Sequence, residues 1–301
     1  MAGNSLITTV IKTSPESPRE VLALSARRFP NHDALHIPLS ACKHYSSQEI
    51  TLSYDELERA ISQATELWRQ TGVTGRVALI LENRPEFFIH WLALNALGIS
   101  VIPINHEMPD TEIPYYLEHG EAIAVLTLES HRTRLVNVVD ALTTAIPVII
   151  QEQISALDLG DVAAMPDSQA DVNRECALLY TSGSTGKPKG CLLNNDYFIQ
   201  QGIWYQSLGG HIALREGCER LLTPLPLSHM NAMSVSTLAM FMTGGCLIQL
   251  DRFHPGTWWQ SLRESKATAL HYLGVLPAIL LALPEDACLL YTSPSPRDVE
   301  E

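Results

Sequence analysis

Basic residues are scarce in this sequence. Of its 301 residues, 20 are lysine or arginine and 33 are aspartate or glutamate, which gives a formal net charge of −13 at pH 7. No dense basic patch interrupts the acidic composition, so a nucleic-acid-binding protein is not indicated. A bound anion would need local donors that overcome an unfavourable global field.

Cysteines with metal-site spacing are absent. The six cysteines follow neither a C-x-x-C pattern nor a Cys/His metal pattern; they are Cys42, Cys176, Cys191, Cys218, Cys246 and Cys288. In a chain of this length, the scatter predicts reduced, mostly buried thiols in a cytoplasmic protein and no metal site. The first 20 residues also lack a basic segment followed by an apolar one, so we expect no signal peptide.

No membrane-spanning run is expected. A spanning helix needs about 20 mostly apolar residues. The best candidate, residues 232–250, contains serines, threonines and the pair Gly244-Gly245. This segment therefore predicts a buried helix followed by a buried strand.

Strand-like and helix-like segments alternate along the chain, in which 46% of the residues are hydrophobic. Short apolar runs predict strands at residues 77–81, 101–104, 122–127, 146–150, 177–180, 191–193, 220–223, 246–250 and 268–272. One helix is expected to begin at the capping box of Ser53 and Glu56, and another to run from Pro85 to the stop at Gly98. Further helices are predicted near residues 110–119, 130–141, 196–208, 230–242, 257–266 and 277–283. The alternation predicts an α/β fold with mostly parallel sheets packed with helices.

The length predicts about two domains, at roughly 150 residues per domain. We assign residues 1–170 to a first α/β subdomain and residues 171–287 to a second, incomplete one that begins with a glycine-rich loop, with a polar linker at residues 155–175.

Residues 288–298, CLLYTSPSPRD, resemble the translated end of a sequencing adapter. Residues 288–301 are therefore interpreted as a non-native, adapter-derived tail, and a natural disordered C-terminus is the alternative.

The segment with the clearest chemistry is YTSGSTGKPKG, residues 180–190, which lies between two apolar strand-like runs. Its glycines allow tight turns, its successive N–H groups can form an anion nest, and its hydroxyls add adjustable donors. Lys187 and Lys189 add positive charge, so the segment suits a polyphosphate. It is not a Walker A loop, because Thr181 and Pro188 stand where that motif needs glycine and serine or threonine. The alternative is a flexible linker with two solvated lysines.

With this loop, the sequence resembles the adenylate-forming (AMP-binding) superfamily, in its acyl-CoA synthetase branch. Other segments resemble motifs of that superfamily and follow in its order; they are Leu52–Leu57, Ala96–Asn105, Leu225–His229 and Val275–Pro277. The resemblance covers essentially all of residues 20–287. It implies the superfamily's large N-terminal domain, in truncated form.

The resemblance implies a function for the loop. In the superfamily, the loop grips the β- and γ-phosphates of ATP, a carboxylate attacks the α-phosphorus, pyrophosphate leaves and coenzyme A then displaces AMP from the acyl-adenylate. ATP, Mg²⁺ and coenzyme A as co-substrate are therefore expected. Because a carboxylate is already ionised near neutral pH, catalysis reduces to positioning and neutralisation of phosphate charge. Lys189 and Thr185 are the expected catalytic residues, and the expected phosphate-binding residues are Thr181, Ser182, Gly183, Ser184, Thr185, Gly186, Lys187, Lys189 and Gly190.

The resemblance also places His229 in the acyl pocket, near the reacting carboxylate; the alternatives are a helix cap and a packed core histidine. Residues 228–231 contain no carboxylate that could hold an amino group, which favours a plain carboxylic acid over an amino acid as substrate. A carnitine-like or crotonobetaine-like acid is considered, although no residue identifies it.

The superfamily's adenine, ribose and Mg²⁺ motifs and its mobile C-terminal domain with an essential lysine are not found before residue 301. We therefore expect the intact parent to be an ATP-dependent carboxylic acid–CoA ligase with a role in fatty acid metabolism. The chain by itself is expected to be an inactive fragment. Two alternatives stay open, an adenylating domain that loads a carrier protein and a non-catalytic anion-binding module.

Overall fold

The computed structural model describes residues 14–155, 170–181 and 186–283. The strands are β1 (Asp33–Ile37), β2 (Ile50–Ser53), β3 (Arg76–Ile80), β4 (Val101–Pro103), β5 (Ala122–Thr127), β6 (Val148–Ile150), β7 (Glu175–Thr181), β8 (Lys189–Asn194), β9 (Arg220–Thr223), β10 (Cys246–Gln249) and β11 (Ala269–Leu270). The α-helices are α1 (Pro18–Arg28), α2 (Leu39–Cys42), α3 (Tyr54–Thr71), α4 (Pro85–Ala96), α5 (Ile113–His119), α6 (Arg132–Asp140), α7 (Gln151–Ser155), α8 (Asn195–Gln206), α9 (Thr237–Thr243), α10 (Trp258–Glu264) and α11 (Leu276–Leu281). A π-helix covers Asn231–Ser236, and short 3₁₀ helices cover Glu129–His131, Gly210–Ile212 and Pro255–Thr257.

The strands form two sheets. One has six strands in the order β6-β5-β3-β4-β7-β8, and the other has five in the order β11-β9-β10-β1-β2. All neighbouring strands run parallel except the β7–β8 and β1–β2 pairs, which are antiparallel edge pairs. The predicted α/β fold with mostly parallel sheets is confirmed.

Each sheet combines strands from both sides of residue 170. Strands β7 and β8 join the sheet of β3–β6, whereas β1 and β2 join the sheet of β9–β11. Residue 170 therefore does not mark a boundary between the two sheets. The division into subdomains at that residue stays a prediction. The interpreted tail, residues 288–301, lies outside the described residues.

A layer of helices lies between the two sheets and shares one core with them. Helices α1, α3, α4, α8 and α9 contact one another, and their buried side chains join those of both sheets in the largest apolar cluster. In β3, Val77 and Leu79 point into this central cluster, whereas Ala78 and Ile80 belong to a second cluster on the outer face with α5 and α6. The alternation of side chains along a strand thus places apolar residues on both faces of the sheet. A third cluster covers the outer face of the five-stranded sheet and includes Trp258 of α10.

Local sequence signals set several helix ends as predicted. The Ser53 hydroxyl accepts a hydrogen bond from the Glu56 N–H (3.2 Å), and the Glu56 carboxylate accepts one from the Ser53 N–H (2.8 Å), so the capping box forms. Pro85 occupies the first turn of α4. Gly98 follows that helix with a φ of +70°, a conformation that favours glycine.

The apolar segment at residues 232–250 folds as most of the π-helix, then α9, then β10, which confirms the buried helix followed by a strand. Among the described residues, no helix is both long and apolar enough to span a membrane. The π-helical turn, the two strands of the β1–β2 pair and the helices α1, α2 and α7 were not anticipated from the sequence. The predicted strand at 268–272 is shorter, covering only β11.

Asn83 connects the two sheets at the carboxyl ends of their strands. Its side-chain amide, just after β3, donates to the carbonyls of Leu225 (3.1 Å), Leu250 (3.0 Å) and Asp251 (3.1 Å), which follow β9 and β10. Its carbonyl oxygen accepts a hydrogen bond from the Leu227 N–H (2.9 Å). Because Asn83 is buried, none of these partners can easily be replaced by water.

His90 forms a second buried polar connection. The Trp68 indole N–H of α3 donates to Nδ1 of His90 (3.0 Å), which leaves His90 Nε2 to donate to the Gln151 side-chain oxygen (2.9 Å). Burial lowers the pKa of His90 below its usual value. The imidazole is therefore neutral in the folded protein, since protonation of Nδ1 would direct two donors at each other.

Replacing Asn83 with alanine should lower the free energy of unfolding by roughly 2–4 kcal/mol, because one buried N–H and several carbonyls lose their partner. Asn83→Asp should be at least as destabilising, since it presents a carboxylate to the three carbonyls. Urea unfolding followed by tryptophan fluorescence measures both. Asn137→Ala, on the exposed face of α6, is the control and should change the free energy by less than about 0.5 kcal/mol. A wild-type urea midpoint for Asn83→Ala would contradict the role of this side chain.

The free energy of unfolding should fall as the pH falls below about 6.5, because the unfolded chain protonates His90 whereas the folded chain does not. Since the folded-state pKa is the lowered one, the stability is complete above the unfolded pKa and is lost with acidification. Urea titrations between pH 7.5 and 5.5 should give a flatter pH dependence for His90→Gln than for the wild type, by at most about 1.4 kcal/mol per pH unit. Equal slopes for the two proteins would show that His90 is protonated in the fold.

Candidate functional site

The glycine-rich segment forms the connection of the β7–β8 hairpin. Strand β7 runs parallel to β4, so it ends at the carboxyl edge of the six-stranded sheet. In the hairpin register, Tyr180 pairs with Gly190 and Thr181 with Lys189. Ligands of parallel α/β sheets bind outside this edge of the sheet. The antiparallel hairpin thus places the glycine-rich segment at the edge of the sheet where a ligand can bind.

The described predicted residues lie at the base of this hairpin loop. Thr181 and Lys189 face each other across the strands, and Gly186 and Lys187 lead back into β8; all four are exposed. A Cβ atom on Gly190 would lie 2.9 Å from the end of the Leu178 side chain, so the neighbouring strand leaves little room for a larger residue. The other predicted residues, Ser182, Gly183, Ser184 and Thr185, lie outside the described residues.

Aromatic residues of α5 contact both ends of the loop. The Tyr115 hydroxyl donates to the carbonyl of Pro188 (2.8 Å), and the Lys187 ammonium group lies 5.2 Å from the centre of the Tyr115 ring. At the other end, the Tyr180 hydroxyl lies 2.8 Å from His119 Nδ1. Burial raises the pKa of Tyr180 to about 12, so its hydroxyl stays protonated at neutral pH. Sequence reasoning missed these contacts because α5 is distant from the loop in the chain.

His229 lies in the connection between β9 and the π-helix. Its backbone N–H donates to the Pro226 carbonyl (3.0 Å), and its own carbonyl accepts from the Met233 N–H (3.1 Å). The side chain of His229 is exposed, so it is not a packed core histidine. Asn83 holds the preceding Leu225 and Leu227 by their backbone, which fixes the path of the chain into this histidine.

A series of side-chain hydrogen bonds connects the π-helix that follows His229 to α8 and to the end of β11. Tyr205 of α8 lies 2.7 Å from His271 Nε2, and His271 Nδ1 lies 2.7 Å from the hydroxyl of Ser236, which donates to the Asn231 side-chain oxygen (3.2 Å). Burial lowers the pKa of His271 to about 4. The neutral histidine then donates from Nδ1 to Ser236 and accepts at Nε2 from Tyr205, so both ring nitrogens and both hydroxyls have a partner. No spacing in the sequence indicates these hydrogen bonds, because the residues come from three separate elements.

A cleft of about 440 Å³ opens near the carboxyl ends of β1, β3, β4 and β10. Two histidine–carboxylate contacts lie in its wall, His44 with Glu82 (2.7 Å) and His254 with Asp251 (2.9 Å). In the part of the chain that the structure describes, no group of three or more histidine, cysteine or acidic residues is arranged to hold a metal ion. The cleft is therefore lined by polar and charged residues of both signs, at the edge where both sheets end.

The methionines and tryptophans near the predicted acyl region mostly belong to the core. Met233 and Met240 are fully buried in the central cluster, and Met230 and Met242 pack against it. Trp258 is buried in the outer cluster of the five-stranded sheet, and Trp259 packs against that cluster. The five described cysteines are free, and three of them are buried.

Comparisons with known proteins agree with this architecture. The crotonobetaine/carnitine–CoA ligases of Proteus mirabilis and Shigella sonnei are 26% and 25% identical to the chain, over 249 and 251 residues. Those matches cover 77% and 78% of this chain but 47% of each relative, so the chain spans about half the length of the curated relatives that it matches.

Two solved structures show the same fold. The inhibitor-bound N-terminal domain of FACL13 from Mycobacterium tuberculosis has a TM-score of 0.77 at 20% identity, covering 90% of this chain and 66% of that one. The o-succinylbenzoate CoA synthetase of Bacillus subtilis, in complex with its acyl-adenylate intermediate, has a TM-score of 0.71 at 23% identity, covering 87% and 63%. A family model described as AMP-binding enzyme matches residues 22–295, which is nearly the whole chain. The chain therefore belongs to the AMP-binding enzyme family.

Proposed function

We propose that this chain is the N-terminal, phosphate-binding part of an ATP-dependent carboxylic acid–CoA ligase. The observation that supports the proposal most is the hairpin loop of residues 181–189 at the carboxyl edge of a parallel sheet, in a chain of the AMP-binding enzyme family. The full reaction joins a carboxylate to the α-phosphorus of ATP with loss of pyrophosphate. The thiol of coenzyme A then takes the acyl group and AMP leaves.

The described residues have defined parts in this proposal. Lys187 and Lys189 bring two positive charges to the loop of a protein whose net charge is −13, so they supply the local attraction that a polyphosphate needs. The Thr181 hydroxyl, opposite Lys189, adds a donor at the base of the loop. Mg²⁺ would neutralise further phosphate charge, and no protein ligand for it is assigned within the described ranges.

The acid substrate is proposed to be a small carboxylic acid that is not an amino acid. Residues 228–231 lead from β9 into the π-helix without a carboxylate that could pair with an ammonium group, and His229 is exposed there. Two curated relatives carry the name crotonobetaine/carnitine–CoA ligase, which makes short acids with a quaternary ammonium group the first to assay. Placement of His229 beside the reacting carboxylate is part of the proposal.

In the full-length protein that this proposal requires, changing Lys189 and Thr185 together to alanine should reduce ATP-dependent pyrophosphate release at least about 100-fold, because two groups that neutralise phosphate charge are lost. The rate is measured as pyrophosphate release in the presence of ATP, coenzyme A and each member of a panel of acids. The panel contains crotonobetaine, carnitine, aliphatic and aromatic acids. Arg59→Ala removes a positive charge from the exposed face of α3 and should leave the rate within twofold.

Unchanged ATP affinity and turnover in the double variant would refute the assignment of the loop. Acyl transfer to a carrier protein instead of coenzyme A would select the carrier-loading alternative. Binding of ATP or tripolyphosphate by the full-length protein without any pyrophosphate release would select the non-catalytic anion-binding module.

The 301-residue chain by itself should release no pyrophosphate above the uncatalysed background, because it spans only about half the length of its curated relatives. The same acid panel applies, with the full-length protein as the positive control. Measurable turnover by the purified chain would contradict the proposal that it is an inactive part.

A further inference from the structure

We infer that Tyr115 is a positioning residue for the phosphate loop, because it holds the Pro188 carbonyl and the Lys187 ammonium group on the side of the loop that leads into β8. The inference rests on the proposed function of the loop. Tyr115 belongs to α5 and is separated from Pro188 by 73 positions in the chain. It does not belong to the glycine-rich motif.

The hydrogen bond from Tyr115 fixes a part of the backbone that the sheet does not hold. The β7–β8 pairing begins at Thr181 and Lys189, so Pro188 lies just outside the ladder. Proline has no N–H with which to form a turn hydrogen bond of its own. The Tyr115 hydroxyl, 2.8 Å from the Pro188 carbonyl, therefore supplies an anchor that the hairpin lacks.

The ring of Tyr115 restricts the side chain of Lys187. The ammonium group lies 5.2 Å from the ring centre, within the usual range of a cation–π contact. No carboxylate pairs with Lys187 in the described part of the chain. The ring thus restricts a flexible side chain without neutralising its charge, which reduces the entropy that a polyphosphate ligand would have to overcome.

Other residues hold α5 and the opposite end of the loop in place. Ile113 and Leu117 of α5 are fully buried in the outer cluster of the six-stranded sheet, whereas Tyr115 is only partly buried. Tyr180 is held by a hydrogen bond with His119 and by the ring of Tyr116, with 4.5 Å between the ring centres. The Tyr115 ring also contacts Tyr180, at 6.2 Å between the ring centres, and Tyr115→Phe keeps this contact. Loss of the Tyr115 hydroxyl should therefore release the segment around Pro188 without unfolding α5.

Three variants of the 301-residue chain separate positioning from packing. Tyr115→Phe removes only the hydroxyl, and Tyr115→Leu also removes the ring and its contacts with Lys187, His119 and Tyr180. Tyr116→Phe is the matched control, because its ring contacts Tyr180 while no hydrogen bond of its hydroxyl is found within the described ranges. Hydrogen–deuterium exchange of the peptide that contains Lys187 and Lys189 is measured together with the thermal unfolding midpoint.

The exchange of this peptide should become about 5–10 times faster in Tyr115→Phe and faster still in Tyr115→Leu, which corresponds to the loss of one hydrogen bond of ordinary net strength. The unfolding midpoint of Tyr115→Phe should stay within about 2 °C of the wild type, and Tyr116→Phe should match the wild type in both measurements. Unchanged exchange in both Tyr115 variants would overturn the inference. A fall in midpoint together with uniformly faster exchange of α5 would also overturn it, because it would show a packing role.

Calorimetric titration with inorganic tripolyphosphate tests the link to the ligand. The dissociation constant should rise about 5–10-fold in Tyr115→Phe and stay unchanged in Tyr116→Phe. Equal affinity of the wild type and both Tyr115 variants would overturn the positioning role. Absence of tripolyphosphate binding by the wild-type chain would count against the proposed function of the loop, whereas the exchange measurement would still decide whether Tyr115 holds it.

Discussion

The carboxamide of Asn83 joins the carboxyl ends of strands from both sheets, and the arrangement of the site depends on this connection. Its donors reach the carbonyls that follow β9 and β10, and its acceptor binds the N–H of Leu227. Parallel strands present their ligand-binding ends on one edge, so two such sheets produce a common site only if those edges are held together. One buried amide with four partners provides that constraint at the edge where the polar cleft opens, with Glu82 beside it in the chain.

Two buried histidines form neutral, hydrogen-bonded connections between helices and strands of the interior. His90 connects α3, α4 and α7 through defined donor and acceptor roles, and the chain from Tyr205 through His271 to Ser236 connects α8, the π-helix and the end of β11. Burial lowers the pKa of both histidines. Neutral imidazoles give direction to these contacts without burying an unpaired charge, which would be costly in an apolar core. Buried positive charge is paired, as in the Arg19–Glu58 and Arg84–Glu86 ion pairs, whereas Lys187 and Lys189 are exposed.

Most of the secondary structure could be predicted from local sequence signals. The capping box of Ser53 and Glu56, Pro85 in the first turn of α4 and the short apolar strands act within a few residues, so periodicity and turn chemistry are sufficient to find them. The π-helical turn was missed because a six-residue segment is too short for apolar periodicity to separate a π-helix from an α-helix. Strands β1 and β2 were missed. Local signals therefore did not show that N-terminal strands join β9, β10 and β11 in one sheet. The proposed boundary at residue 170 relied on the same local reasoning, which cannot tell which sheet a strand joins.

The amino-acid sequence alone determined the class of fold, the order of most strands and helices and the position of the glycine- and hydroxyl-rich loop between two strands. Each of these follows from interactions between residues that are close together in the chain. The tertiary structure decided that β7 and β8 form an antiparallel hairpin on a parallel sheet, that Asn83 ties the two sheets, and that Tyr115 contacts the segment around Pro188. The contacts of Asn83 and Tyr115 join residues separated by 73 to 168 positions, and such pairs meet only in the folded tertiary structure.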